Sequence, residues 1–167
     1  NTFGGAGYFA ETHHAASYNV NQANQSGDDV ANLVNSREFG SVDIQTTSGM
    51  AFNPKYFSTP EQSYAAGAEL FTDESGTLVA KYAGQQIIVP SDQYHEISML
   101  HQRHLEQAQT SGQIDQYEAL SQISFTDRIV DTNGIESLPL SYAEAHAGKQ
   151  ALQSGETPFF AQQHSFI

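Results

Sequence analysis

Residues 41–57 read Ser41-Val42-Asp43-Ile44-Gln45-Thr46-Thr47-Ser48-Gly49-Met50-Ala51-Phe52-Asn53-Pro54-Lys55-Tyr56-Phe57, and this stretch decides the fold. Val42 and Ile44 alternate with polar residues, the period of a half-buried strand. Thr47-Ser48-Gly49 is a turn, and residues 50–57 form a second extended run, so the whole predicts a hairpin. Pro54 has no N–H to donate, which places it where a ladder partner is absent, at an edge or a bulge. On the first arm Asp43 faces away from Val42 and Ile44. On the second, Asn53 and Lys55 face away from Phe52, Pro54 and Tyr56. Pairing of the arms brings Asp43, Asn53 and Lys55 to one side. A carboxylate and an amide oxygen suit a hard divalent cation. An ammonium beside them can orient water or stabilise a phosphoryl transition state.

Outward from the hairpin the pattern is mixed. Phe9, His13, Ala16 and Val20 predict a helix over 8–24, ended by Ser26-Gly27. Residues 28–34 read as a short second helix with Val30, Leu33 and Val34 inward. Thr59, Pro60 and Glu61 are cap, first-turn proline and first-turn acid for a helix to about Leu70. Residues 77–82 and 85–89 read as two strands of a tight hairpin around Ala83-Gly84, with Pro90 as the stop. Ser91-Asp92 cap a long helix to Thr110, with Ile97, Leu100, His104 and Leu105 buried. Residues 114–131 are expected to be helical again. Asn133-Gly134 is a turn, and Ser141 caps a last helix to Gln153. The expectation is one α/β domain over 1–167 with more helices than strands. It divides into a core over about 5–90, a helical extension over about 91–154 and a polar tail over 155–167.

Composition narrows function. Six Lys and Arg face nineteen Asp and Glu, a formal charge of -13. Tight nucleic-acid binding neutralises several phosphates with cations. Contact with DNA is therefore expected to be weak, metal-assisted or shared with a protein partner or further copies of the chain. The charge disfavours anionic membranes, and no apolar run is long enough to span a bilayer. There is no cysteine, which excludes thiol catalysis, thiolate metal sites and disulfides. No signal-peptide pattern is visible, and a start at Asn1 is compatible with a processed product or part of something longer. The expected setting is soluble, cytoplasmic or virion-associated.

Asp43, nine residues, then Asn53-Pro54-Lys55 resembles the signature of the PD-(D/E)XK nuclease superfamily. That signature is an Asp on one strand, then Asp or Glu, any residue and Lys on the next. The likeness covers roughly residues 5–70. It implies an αββα restriction-endonuclease-like core, a small mixed sheet flanked by helices, followed here by an α-helical C-terminal half. It implies Mg²⁺ or Mn²⁺ as cofactor, with Asp43 and Asn53 as ligands, Lys55 and Asp43 as catalytic residues, and an acid from the preceding helix, Glu11, as a further ligand. Asn53 stands where the family usually has an acid, and Pro54 is unusual at the variable position. The later segments resemble those of phage-associated and mobile-element proteins.

Other readings compete. Glu11 and His14, or His101 and His104 with His95 nearby, have helical spacings that can chelate a metal; hydrogen-bonded core or surface histidines explain them equally. No HExxH, P-loop, GxGxxG or GxSxG occurs. The alternative from another class is a non-enzymatic structural or interaction protein, a viral component or an acidic mimic of DNA.

Overall fold

The computed structural model describes residues 5–155. Helix α1 (Ala6–Asn24) starts after Gly5, so the glycine-rich lead-in is already helical from Ala6. Residues 1–4, and all of the expected polar tail beyond Gly155, lie outside the described residues. The buried residues of α1 are not the expected single stripe. Ala10, His14 and Tyr18 join Phe9, His13 and Ser17, while Ala16 and Val20 are only half-buried. The reason is that α1 packs both on the sheet and on the last helix.

Three strands follow: β1 (Ala31–Leu33), β2 (Ile44–Thr46) and β3 (Ala51–Pro54). The expected helix over 28–34 is therefore a strand. Two tertiary contacts override its helical pattern. β1 pairs with β2 from Ala31 opposite Thr46 to Leu33 opposite Ile44. On its other edge, the Asn19 side chain of α1 donates to the Ala31 carbonyl at 3.0 Å and accepts the Ala31 N–H at 2.7 Å, taking the place of a further strand.

β2 and β3 form the expected hairpin, shorter than expected, with Ile44 opposite Phe52 and the turn at 47–49. Helix α2 (Pro60–Gly67) follows, with Thr59 Oγ1 accepting the Gln62 N–H. Next come β4 (Leu70–Thr72), β5 (Leu78–Ala80) and β6 (Gln86–Ile88). The expected hairpin around Ala83-Gly84 is absent. β5 turns back on β4, while β6 crosses to lie parallel to β3, Asn53 opposite Ile87.

Helices α3 (Tyr94–Thr110) and α4 (Ile114–Leu120) lead to β7 (Ser124–Thr126), which lies parallel to β6. The C-terminal half is thus not wholly helical, and the extension over 91–154 contributes a strand to the main sheet. The expected helix over 114–131 stops at Leu120. Helix α5 (Tyr142–Gln153) is closed by a capping box between Ser141 and Glu144. The fold is mixed α/β, with a mixed five-stranded sheet in the order β1-β2-β3-β6-β7 and a small β4-β5 ribbon. Among the described residues strands outnumber helices, against expectation.

Neighbouring residues of β6 point to opposite faces. Ile88 packs with Phe9, Tyr18, Ile44, Phe52 and Ala145, on the side of α1 and α5. Ile87 packs with Tyr64, Ile97 and Leu120, on the side of α2, α3 and α4. The sheet is therefore covered on both faces. Among the described residues no helix is long and apolar enough to cross a membrane.

Candidate functional site

The site begins where the β2–β3 ladder ends. The Asp43 N–H donates to the Phe52 carbonyl at 3.1 Å, one residue out of the register that sets Ile44 opposite Phe52. Asp43 therefore sits at a local irregularity just before β2, not in mid-strand as expected. Beyond it the arms separate. Pro54 is in the middle strand of the sheet, opposite Ile88, and not at an edge. The next N–H, that of Lys55, donates to the Ile88 carbonyl at 2.8 Å. Successive N–H groups in a strand point to opposite sides, so the N–H that Pro54 lacks would have faced β2, which has already ended.

A cavity of about 780 Å³ opens at this end of the sheet, and Glu11, Asp43, Asn53 and Lys55 all line it. Tyr8 and Glu11 come from α1. The loop over 34–41 supplies another wall, including Arg37, Glu38 and Phe39, and Lys81 and Tyr82 close the far side. Gly40 lets the loop approach. Its φ is +69°, and a Cβ there would come within 2.7 Å of the Lys81 carbonyl oxygen.

Asn53 is 2% exposed, and its orientation is fixed by its neighbours. Its Nδ2 donates to the Ser41 carbonyl at 2.9 Å and to Gln85 Oε1 at 3.2 Å. Gln85 is itself oriented, its Nε2 donating to the Gly40 carbonyl at 2.7 Å. Both partners of Asn53 are acceptors, so the amide cannot be turned over without losing both bonds. Its Oδ1 is buried with no hydrogen-bond partner. A buried amide oxygen in that state calls for a donor or a cation.

The cations are concentrated here. Arg37, Lys55 and Lys81 line the cavity, half of the chain's six. Lys55 Nζ lies 4.5 Å from the centroid of the Tyr82 ring, and Lys81 Nζ lies 5.4 Å from it. Lys81 also pairs with Glu69 at 3.4 Å. Three acids, Glu11, Glu38 and Asp43, balance the three cations, so the lining is formally neutral while the surplus of -13 lies elsewhere.

Sequence reasoning missed Arg37, Lys81, Tyr82 and Gln85. Their shared place depends on loops that meet only in three dimensions, and the one available hint was how few cations the chain has.

The histidine alternatives have other roles. His14 is fully buried, with Nδ1 2.8 Å from Ser137 Oγ and Nε2 3.1 Å from Tyr56 Oη. Tyr56 Oη donates to the Leu140 carbonyl and so accepts from His14 Nε2; Nδ1 then accepts from Ser137. With both nitrogens engaged, His14 cannot join Glu11 in a chelate. His101 Nδ1 meets Tyr64 Oη at 3.0 Å, and His104 stacks on the Tyr64 ring while remaining exposed, not buried as expected. Among the described residues no three His, Asp or Glu side chains gather so as to hold a metal ion. The Glu11, Asp43 and Asn53 set has two carboxylates and an amide.

No protein-family model matches the chain, and no curated protein or solved structure matches it.

Proposed function

We propose that this cavity is the active site of a metal-dependent phosphodiesterase acting on nucleic acid, of the PD-(D/E)XK-like kind. The observation that carries the reading is the locked Asn53 amide, its Oδ1 buried and unpartnered in a cavity shared with Glu11, Asp43 and Lys55. The placing of α1 before the hairpin and α2 after it supports the reading too, with the additional strand β1 between α1 and β2.

The donors are all oxygens, which suits Mg²⁺ or Mn²⁺ rather than a softer ion. Asp43, Asn53 and Glu11 would hold the cation. When bound, it supplies Lewis acidity toward a phosphoryl oxygen and acidifies water. The Lys55 ammonium positions the attacking water by hydrogen bonding and offsets the charge that builds on the phosphoryl oxygens. The Tyr82 ring steadies that ammonium from the side. The water oxygen bonds to phosphorus as the P–O bond to the leaving sugar oxygen breaks, a proton from that water ends on the leaving oxygen, and both cleaved ends depart through the open side of the cavity.

The test is hydrolysis of plasmid and of single-stranded DNA and RNA with Mn²⁺ or Mg²⁺. Cleavage is expected to vanish in EDTA and to drop about a hundredfold or more in Lys55→Ala and in Asp43→Asn. Undiminished cleavage by Lys55→Ala refutes its role. A protein that binds Mn²⁺ but cuts nothing leaves the second reading, a non-enzymatic interaction protein, which the charge of -13 favours.

A further inference from the structure

We propose that the site takes a single strand of nucleic acid, as an end, flap or loop, and not a duplex. The proposal rests on the nucleic-acid reading of the same cavity, but its test does not need cleavage.

Charge placement is the first argument. A duplex presents phosphates on two strands along its whole length, about one charge per 1.7 Å. Its binder needs cations spread over a face. Here Arg37, Lys55 and Lys81 are gathered in one cavity. Arg128 is engaged by Asp127 at 3.0 Å and Glu136 at 3.1 Å. That leaves Arg103 on α3 and Lys149 on α5. Two cations on separate helices outside the cavity are too few to follow both backbones of a duplex, so the three gathered in the cavity suit one strand.

The second argument is aromatic. Phe39, at the cavity wall, is 62% exposed, more than any other large apolar side chain in the loop that carries it. Lys81 Nζ lies 4.6 Å from its ring centroid, and the Phe71 ring props it edge-on at 4.9 Å. An exposed aromatic ring beside an ammonium is the pairing that receives an unstacked base together with its phosphate. In a duplex the base faces are stacked on one another and closed to such a ring. The cavity, at about 780 Å³, has the size of a site for a small ligand or a short stretch of one strand.

Unpaired DNA and RNA share this chemistry, so the experiment carries both. Fluorescence anisotropy is measured with labelled oligothymidylate, oligouridylate and a DNA duplex, each about ten nucleotides long. Measurements are made in EDTA and again with Ca²⁺. The expected result is binding of a single strand about tenfold or more tighter than the duplex in at least one medium. Phe39→Ala should weaken the single strand about tenfold and leave the duplex unchanged. Its circular dichroism should match wild type, since the ring is exposed. Arg37→Ala and Lys81→Ala should each flatten the log–log salt dependence by about 0.7. Equal or tighter duplex binding, no binding to any oligonucleotide in either medium, or an unaffected Phe39→Ala overturns the proposal. Single-strand preference without hydrolysis keeps it and removes only the hydrolytic reading. Hydrolysis of duplex without single-strand preference does the reverse.

Discussion

Asn53 and Gln85 are joined side chain to side chain: Asn53 Nδ2 donates to Gln85 Oε1, and Gln85 in turn donates to the Gly40 carbonyl. A buried glutamine thus connects the proposed metal-binding amide to the loop that walls the cavity. Gln85→Leu removes the acceptor that fixes Asn53 and the donor that holds Gly40. Divalent affinity should fall about 10- to 100-fold. The loss of two bonds should cost about 2 kcal/mol of stability. Calorimetric titration with Mn²⁺ and urea unfolding separate the two effects, and unchanged affinity would remove Gln85 from the site.

Gly40→Ala tests the loop. Alanine at φ +69° costs about 1–2 kcal/mol, and its methyl would press on the Lys81 carbonyl. The loop must draw back, carrying Arg37 and Phe39 away from Lys81. Oligonucleotide binding should weaken more than stability falls, read by anisotropy beside thermal unfolding.

Asp29 fastens the hairpin to α1. Its carboxylate accepts from Tyr18 Oη at 2.5 Å, Thr47 Oγ1 at 2.7 Å, and the Ser48 N–H and Oγ at 2.8 and 2.9 Å. Burial alone would raise its pKa, but these bonds outweigh burial and bring it down to about 2. The stabilisation is present in full above the unfolded value of about 3.9 and is lost as pH falls toward 2. Asp29→Ala should cost about 3 kcal/mol at neutral pH, since it leaves Tyr18 Oη buried without its acceptor. Chemical denaturation checks both statements.

His14 acts in a higher pH window. Burial, with the charges of His13 and Arg128, holds its imidazole well below the usual range, so it is neutral in the fold. The unfolded chain takes up that proton below about 6.5. Stability from this group is therefore full above that pH and falls on acidification by up to about 1.4 kcal/mol per unit. His101, held down by burial and by His104, adds to the same slope. His14→Gln keeps a donor and an acceptor for Tyr56 and Ser137 but does not titrate. Its stability should fall less between pH 7 and pH 5, a comparison made by urea titration at each pH.

Local patterns made part of this legible. The hairpin within 41–57, though shorter than its alternation suggests, α1, the Thr59 cap and the Ser141 cap are set by alternation, helical spacing and capping chemistry within a few residues. β1 was hidden because its strand character comes from β2 and from Asn19, neither of which residues 28–34 reveal alone. The pattern of residues 85–89 marks β6 as a strand but points to the wrong partner. Ala83-Gly84 looks like a hairpin turn, while the true pairings with β3 and β7 are parallel and distant. Residues 124–126 look helical in the sequence because the apolar spacing of 114–123 runs on past Leu120 into them. The site divides in the same way. Asp43, Asn53 and Lys55 share a hairpin and could be grouped from spacing; Arg37, Phe39, Lys81 and Gln85 arrive from separate connections.

Pro54 has a consequence for access. A ring fused to the backbone nitrogen leaves Pro54 paired with Ile88 on the β6 side but with no N–H to offer β2, so the ladder between the two arms of the hairpin cannot gain that bond. The aperture beside Asn53 is thereby built into covalent structure. That missing rung is the same whether or not anything occupies the cavity.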